Sequence, residues 1–266
     1  MLQKVFVYMI VMVAFVAVWG NNVNSSLVER GEDSELVDWW CMLRHDPTHS
    51  GYSTSRIPDT SNVLWTHKTG LYVDSSPVVA DGRVYVGSDD GKMYCLDAET
   101  GERIWRFSTP WWCLTSSPAV ADGRVYFGGK VSQVVYCLDA TTGEEVWNFT
   151  AGMYTSFDSS PCIADGRVYV GCSKILYCLD ANTGGEIWSF VSGEKVFSSP
   201  AAVDGKVYFG SMDRHVYCLD AETGDMVWSY RAEFSVACSP VVAYGKVYTD
   251  SGKKLVCLDA ETGAEV

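Results

Sequence analysis

The residues best suited to metal binding or nucleophilic chemistry are four histidines and ten cysteines, and their spacing argues against most such chemistry. Among His45, His49, His67 and His215, only "HDPTH" (45–49) has metal-like spacing. Pro47 lies between the two rings and keeps them off one helical face. His45 and Asp46 are therefore read as pinning the lead-in segment against the propeller. No Cys-x-x-Cys pair and no Cys/His cluster with zinc spacing occurs. A G-x-S-x-G elbow, a P-loop and an H-E-x-x-H motif are also missing. "SDDGK" (88–92) lacks the ligand spacing of an EF-hand and reads as a solvated turn. The chain thus offers no catalytic and no metal-ligating residue, and no cofactor is expected from these patterns.

The serines that look most like nucleophiles recur too regularly to be a catalytic centre. "SSP" or "CSP" places prolines at 77, 118, 161, 200 and 240, and tryptophans stand at 65, 105, 147, 188 and 228. Both landmarks keep a period of 39 to 43 residues. Within each period "SSPVVA", a "DG" turn, "RVYVGS", a second tight turn, "MYCLDA", "ETGE" and "RIWRF" read as four short antiparallel strands. Four strands per forty-odd residues is the unit of a β-propeller blade, so the fold class is all-β. Complete blades are expected at about 75–108, 116–150, 159–191 and 198–231, and a fifth from 238 lacks its outer strand. "VLWTHKTG" (63–70) is an outer strand without a blade. The economical reading is that Trp65 supplies the missing strand and closes a five-bladed ring. The alternative is a fragment of a seven- or eight-bladed propeller.

The repeated dozen letters, "YCLDAETGERIW" (94–105) in its first copy, have a physical reading. Asp97, Asp139, Asp180, Asp220 and Asp259 begin the turn between third and fourth strands, where a carboxylate accepts backbone N–H bonds. Gly101, Gly143, Gly184, Gly224 and Gly263 supply its positive φ. Trp105, Trp147, Trp188 and Trp228 cover the neighbouring blade and bond through the indole N–H. Cys95, Cys137, Cys178, Cys218 and Cys257 occupy one equivalent position, face successive interfaces and serve as small buried residues. Pairing among Cys41, Cys113, Cys162, Cys172 and Cys238 is left open.

The spacing Cys95–Trp105, and its copies from Cys137, Cys178 and Cys218, resembles the A-x-D-x-x-T-G-K-x-x-W tryptophan-docking motif of PQQ-like repeat proteins. Cys replaces the leading Ala, and an acidic residue usually replaces Lys. "DWWCMLRHDPTHSGYSTSRIPDTSNVLWTHKTG" is similar to the lead-in of exported prokaryotic, especially archaeal, members. The resemblance covers about residues 39–266. It implies a propeller shared with quinoprotein dehydrogenases and with the assembly factor BamB. A dehydrogenase of this kind would need PQQ with calcium, an adjacent Cys-Cys pair and eight blades. This chain has no Cys-Cys dipeptide.

Function is then sought in what does not repeat. The connectors entering each blade carry Tyr72, Trp111, Trp112, Tyr154, Phe157, Phe197 and Phe234. Propeller geometry puts them on one face with the turns between second and third strands. They form the candidate binding face for a protein, peptide or glycan, or else they plug the centre of a small ring. The net charge of −13 argues against wrapping nucleic acid. Lys4 followed by an apolar run from Val5 to Trp19 marks residues 1–20 as a signal peptide or N-terminal membrane anchor. Residues 21–38 are a flexible acidic linker, 39–62 a lead-in packing on the propeller, and 63–266 the propeller. The expectation is an exported, non-catalytic scaffold at the cell surface or in a periplasm-like space. The alternative is a quinoprotein-like oxidoreductase with its cofactor in the central funnel.

Overall fold

The computed structural model describes residues 41–51, 61–110, 112–129, 131, 133–152 and 155–266. The leader, the acidic linker, part of the lead-in, Trp111 and Tyr154 lie outside the described residues. Among those described, nineteen strands and no helix occur, arranged as five antiparallel sheets. Blade 1 contains β1 (Val78–Ala80), β2 (Arg83–Ser88), β3 (Lys92–Asp97) and β4 (Arg103–Ser108). Blade 2 contains β5 (Ala119–Ala121), β6 (Arg124–Gly128), β7 (Val134–Asp139) and β8 (Glu145–Thr150). Blade 3 contains β9 (Cys162–Ala164), β10 (Arg167–Cys172), β11 (Ile175–Asp180) and β12 (Glu186–Val191). Blade 4 contains β13 (Ala201–Val203), β14 (Lys206–Gly210), β15 (His215–Asp220) and β16 (Met226–Arg231). Blade 5 has three strands, β17 (Val241–Ala243), β18 (Lys246–Asp250) and β19 (Leu255–Asp259). The architecture is that of a β-propeller.

Local chemistry explains the strand order. The first hairpin of blade 1 turns at Asp81 and Gly82, both with positive φ, which matches the two-residue turn that suits strand twist. Asp122–Gly123, Asp165–Gly166 and Asp204–Gly205 repeat it, and blade 5 substitutes Tyr244 for the aspartate. At the β3–β4 turn, Asp97 Oδ1 accepts the Glu99 and Thr100 N–H groups at 3.0 and 2.8 Å. A bulge between Cys95 and Leu96 breaks the register there, and equivalent bulges occur in blades 2, 3 and 4.

The core lies between blades. Trp105 Nε1 donates to the Ala140 carbonyl of blade 2 at 3.0 Å, and Tyr85 OH donates to the same oxygen at 3.2 Å. Ala181, Ala221 and Ala260 receive the same pair from Trp147 and Tyr126, Trp188 and Tyr169, and Trp228 and Tyr208. The docking glycine is needed twice over. At Gly143 φ is +73°, and a Cβ there would stand 2.6 Å from the Trp105 ring. The buried cysteine, tyrosine and tryptophan of one blade pack on Val120, Val125, Phe127, Tyr136 and Leu138 of the next. Nearer the axis, Ser76, Ser117, Ser160 and Ser199 each give a backbone N–H to a serine hydroxyl of the following blade, at 2.9–3.0 Å.

Two features of the whole differ from a ring closed by Trp65. Residues 61–69 form no strand, and Trp65 docks on blade 1, with Nε1 2.9 Å from the Ala98 carbonyl and its ring over Gly101. The inner strands touch in the order β1, β5, β9, β13, β17, and β1 does not touch β17. The five blades form an open arc. Trp65 docks on blade 1 as Trp105, Trp147, Trp188 and Trp228 dock on the blade after their own, but its segment forms no strand beside β19.

Residues 41–51 occupy the inner rim of the arc. The Val120, Ala202 and Val242 N–H groups of β5, β13 and β17 donate to the carbonyls of Cys41, Pro47 and Thr48 at 2.6, 2.8 and 2.9 Å. Cys162 Sγ of β9 lies 3.8 Å from the Pro47 carbonyl. This strap satisfies edge groups that inner strands would otherwise leave unpaired.

Candidate functional site

The connectors and the β2–β3 turns do converge on one face of the arc. The backbone joins them directly: Asp89 N–H bonds the Tyr72 carbonyl, Cys113 N–H the Asp89 carbonyl, and Met212 N–H the Lys195 carbonyl. Repeated carboxylate clamps hold this rim. Asp90 accepts Gly70 N–H at 3.0 Å, Tyr94 OH at 2.6 Å and Lys92 Nζ at 3.0 Å. Asp213 of blade 4 accepts Gly193 N–H at 2.7 Å and Tyr217 OH at 2.8 Å. Burial raises the Asp90 carboxyl, but hydrogen bonds from Tyr94, Lys92 and Gly70 outweigh it and hold the pKa below the usual range. Burial, with the hydrogen bond to and charge of Asp90, pushes the Tyr94 phenol up to about 12. These clamps are structural, with their donors already satisfied.

The candidate aromatics divide. Trp112 is 73% exposed, Tyr72 is 66% exposed, and Phe234 and Phe197 are about half and one-third exposed. Lys195 Nζ lies 5.6 Å above the Phe197 ring. Phe157 is a correction to the expected face, because it is completely buried. Its Cβ sits where a side chain on Gly128 would go. Leu114, Val196 and Val236 occupy the same place over Gly87, Gly171 and Gly210. All four stand four residues before the blade's proline, and that spacing is the signal that separates packing connectors from exposed ones.

The chemistry-bearing side chains stay apart. His49 is buried in the strap, its Nδ1 3.0 Å from the Pro240 carbonyl. His45 lies beside Asp46, His215 beside Asp213, and His67 meets the edge of Tyr94. Asp46 is consumed by its own turn, accepting Thr48 N–H and the hydroxyls of Thr48 and Ser50. Burial pushes the repeat thiols Cys95, Cys137, Cys178 and Cys218 up to about 12, far from a thiolate nucleophile. A depression of about 380 Å³ lined by Asp81, Gly82, Arg83, Asp97, Glu99 and Ile104 lies between the turns of blade 1. It is on the rim opposite the connectors.

Among the described residues no three His, Cys, Asp or Glu side chains gather into a cation site. The inner N–H groups of β5, β13 and β17, which border the funnel, are committed to the strap.

The model of the family described as outer membrane protein assembly factor BamB matches residues 55–130 and 131–266. The chain belongs to this family. A curated BamB from Alkalilimnicola ehrlichii is 41% identical over 66 residues, covering 20% of this chain and 17% of the relative. The crystal structure of BamB from Moraxella catarrhalis superposes with a TM-score of 0.67 at 19% identity, over 77% of this chain and 66% of that one. Quinohemoprotein alcohol dehydrogenase from Comamonas testosteroni gives 0.75 at 17% identity, over 86% of this chain and 48% of the enzyme. At such identities the structural likeness is one of fold. The chain spans about two-thirds of the Moraxella BamB and about half of the dehydrogenase. No helix among the described residues is long and apolar enough to cross a membrane.

Proposed function

We propose that this chain is an exported, non-catalytic propeller of the cell envelope that holds a protein or peptide partner on its connector face. The observation that carries the reading is the exposure of Tyr72, Trp112, Phe197 and Phe234 along one rim, in a protein whose other aromatics are mostly packed between blades. Aromatic anchors on an ordered rim give large contact area at small entropic expense. Membership of a family named for outer membrane protein assembly supports a protein partner. The apolar run after Lys4 supports export, with any membrane attachment made through residues 1–20. A glycan partner would use the same rings.

The test is a Tyr72→Ala, Trp112→Ala double variant. Both rings stand in solvent, so the urea midpoint should stay within about 0.5 kcal/mol of the parent. Recovery of partners cross-linked in the native envelope should fall at least tenfold. Unchanged recovery with unchanged stability would remove this face from consideration. Purified protein given PQQ and calcium should acquire no quinone absorbance, and a stoichiometric spectrum would instead favour the oxidoreductase reading.

A further inference from the structure

We propose that Asn148 carries an N-linked oligosaccharide on the outer wall of blade 2. This goes beyond a scaffold with a binding rim, and it rests on the export part of that reading, because lipid-linked oligosaccharides are transferred to chains that have crossed the membrane.

The letters come first. "NFT" (148–150) is an Asn-x-Thr acceptor triplet with phenylalanine, not proline, in the middle. Such triplets are short enough to arise by chance, so the way the fold presents this one decides the matter. Asn148, Phe149 and Thr150 are the last three residues of β8. That strand is outermost in its sheet, in the order β5-β6-β7-β8, so one edge of the triplet's backbone is unpaired. Alternation along the strand then separates the three side chains. Asn148 and Thr150 are both exposed on the outer side. Phe149 turns the other way, with its ring centroid 5.1 Å from that of Tyr177 in blade 3. The amide and hydroxyl that a transferase must read stand together in solvent, while the middle residue anchors the strand.

The surroundings of the acceptor amide agree. Asn148 Nδ2 donates to Glu145 Oε1 at 2.7 Å, and both side chains are exposed. A primary amide has two N–H bonds. One can be replaced by the sugar while the other keeps Glu145, so no buried contact is disturbed. In the transfer, Nδ2 loses one proton and bonds to the anomeric carbon of a polyprenyl phosphate- or diphosphate-linked oligosaccharide. The bond from that carbon to the phosphate oxygen breaks, its electron pair leaves with the lipid phosphate, and the proton passes to solvent. A separate membrane transferase catalyses the step.

The triplet is not a by-product of the repeat. Tyr94, Tyr136, Tyr177 and Tyr217 pair with Arg106, Asn148, Ser189 and Ser229. Two residues further on stand Ser108, Thr150, Val191 and Arg231. Among these four blades, only blade 2 has both the amide and the hydroxyl. A second triplet, "NSS" (24–26), lies outside the described residues.

The test uses the full chain with its leader, made in cells whose asparagine-linked glycosylation is verified on a reporter protein. Trypsin releases residues 131–167 as one peptide, because no Lys or Arg lies between Val131 and Arg167. Mass spectrometry should find that peptide displaced by an oligosaccharide whose fragments place it on Asn148. Asn148→Gln and Thr150→Ala should abolish the displacement, Thr150→Ser should keep it, and all three should retain the parent's near-ultraviolet spectrum. Exported protein with an unmodified peptide, or with sugar on Asn24 alone, overturns the proposal and leaves the export reading standing. Protein held inside the cell without sugar overturns both. Sugar that persists in Thr150→Ala shows transfer that ignores the triplet, and it also overturns the proposal.

Discussion

His49 is the residue through which pH should act on the fold. Burial lowers its pKa from 6.5 to about 4, and Arg44 adds to the shift, against the opposing pull of the Pro240 carbonyl and Asp46. The folded pKa is depressed, so the unfolded chain binds the proton first as pH falls. The neutral ring's stability is fully present above about pH 6.5 and is lost progressively towards pH 4, by about 3 kcal/mol in all. The turn carboxylates Asp97, Asp139, Asp180, Asp220 and Asp259 sit below the ordinary carboxylate range because of their turn hydrogen bonds, so they respond only at lower pH. The interval from pH 6.5 to 4.5 therefore isolates the histidine. Urea midpoints should fall across that interval in the parent and stay flat in His49→Gln; matching slopes would show that another group carries the effect. The turn role of Asp97 was legible from five copies of one local pattern. His49's burial was not, because it depends on Pro240, 191 residues away in the chain.

At the scale of elements, strand order and turns were written in the repeat, whereas the connectors were not. Each connector is short and irregular, so alternation does not say which side chain points inward. The deciding partner is the glycine of the second strand, a residue in a different element. Phe157 and Trp112 then make opposite predictions although both are connector aromatics. Phe157 fills the space over Gly128 and meets Tyr177 with ring centroids 6.4 Å apart. Phe157→Ala should cost about 3–5 kcal/mol by leaving a cavity against a glycine that cannot fill it. Trp112→Ala should change stability by less than about 0.5 kcal/mol. Denaturant midpoints measured on the two single variants check both, and similar losses at the two sites would mean that Trp112 also packs. The closure expected from Trp65 failed for a related reason. A tryptophan's strand belongs to one blade and its ring to the next, and only the second relation is fixed by its docking turn.

At the scale of the whole molecule, an open arc distributes stability unevenly. Among the described residues, blade 3 has docked neighbours on both sides, blade 5 has one, and blade 1 has one together with the Trp65 segment. Stability in such an array is a sum of blade terms and nearest-neighbour interface terms, so the ends open first. The strap modifies this, because its carbonyls tie the inner edges of β5, β13 and β17 together across three blades. Amide exchange in dilute protein should therefore be slowest in β10 and β11, faster in β2 and β3, and fastest in β18 and β19. A ring closed within one chain would erase the gradient, since every blade would then have two neighbours. Uniform protection at high dilution would remove the arc itself.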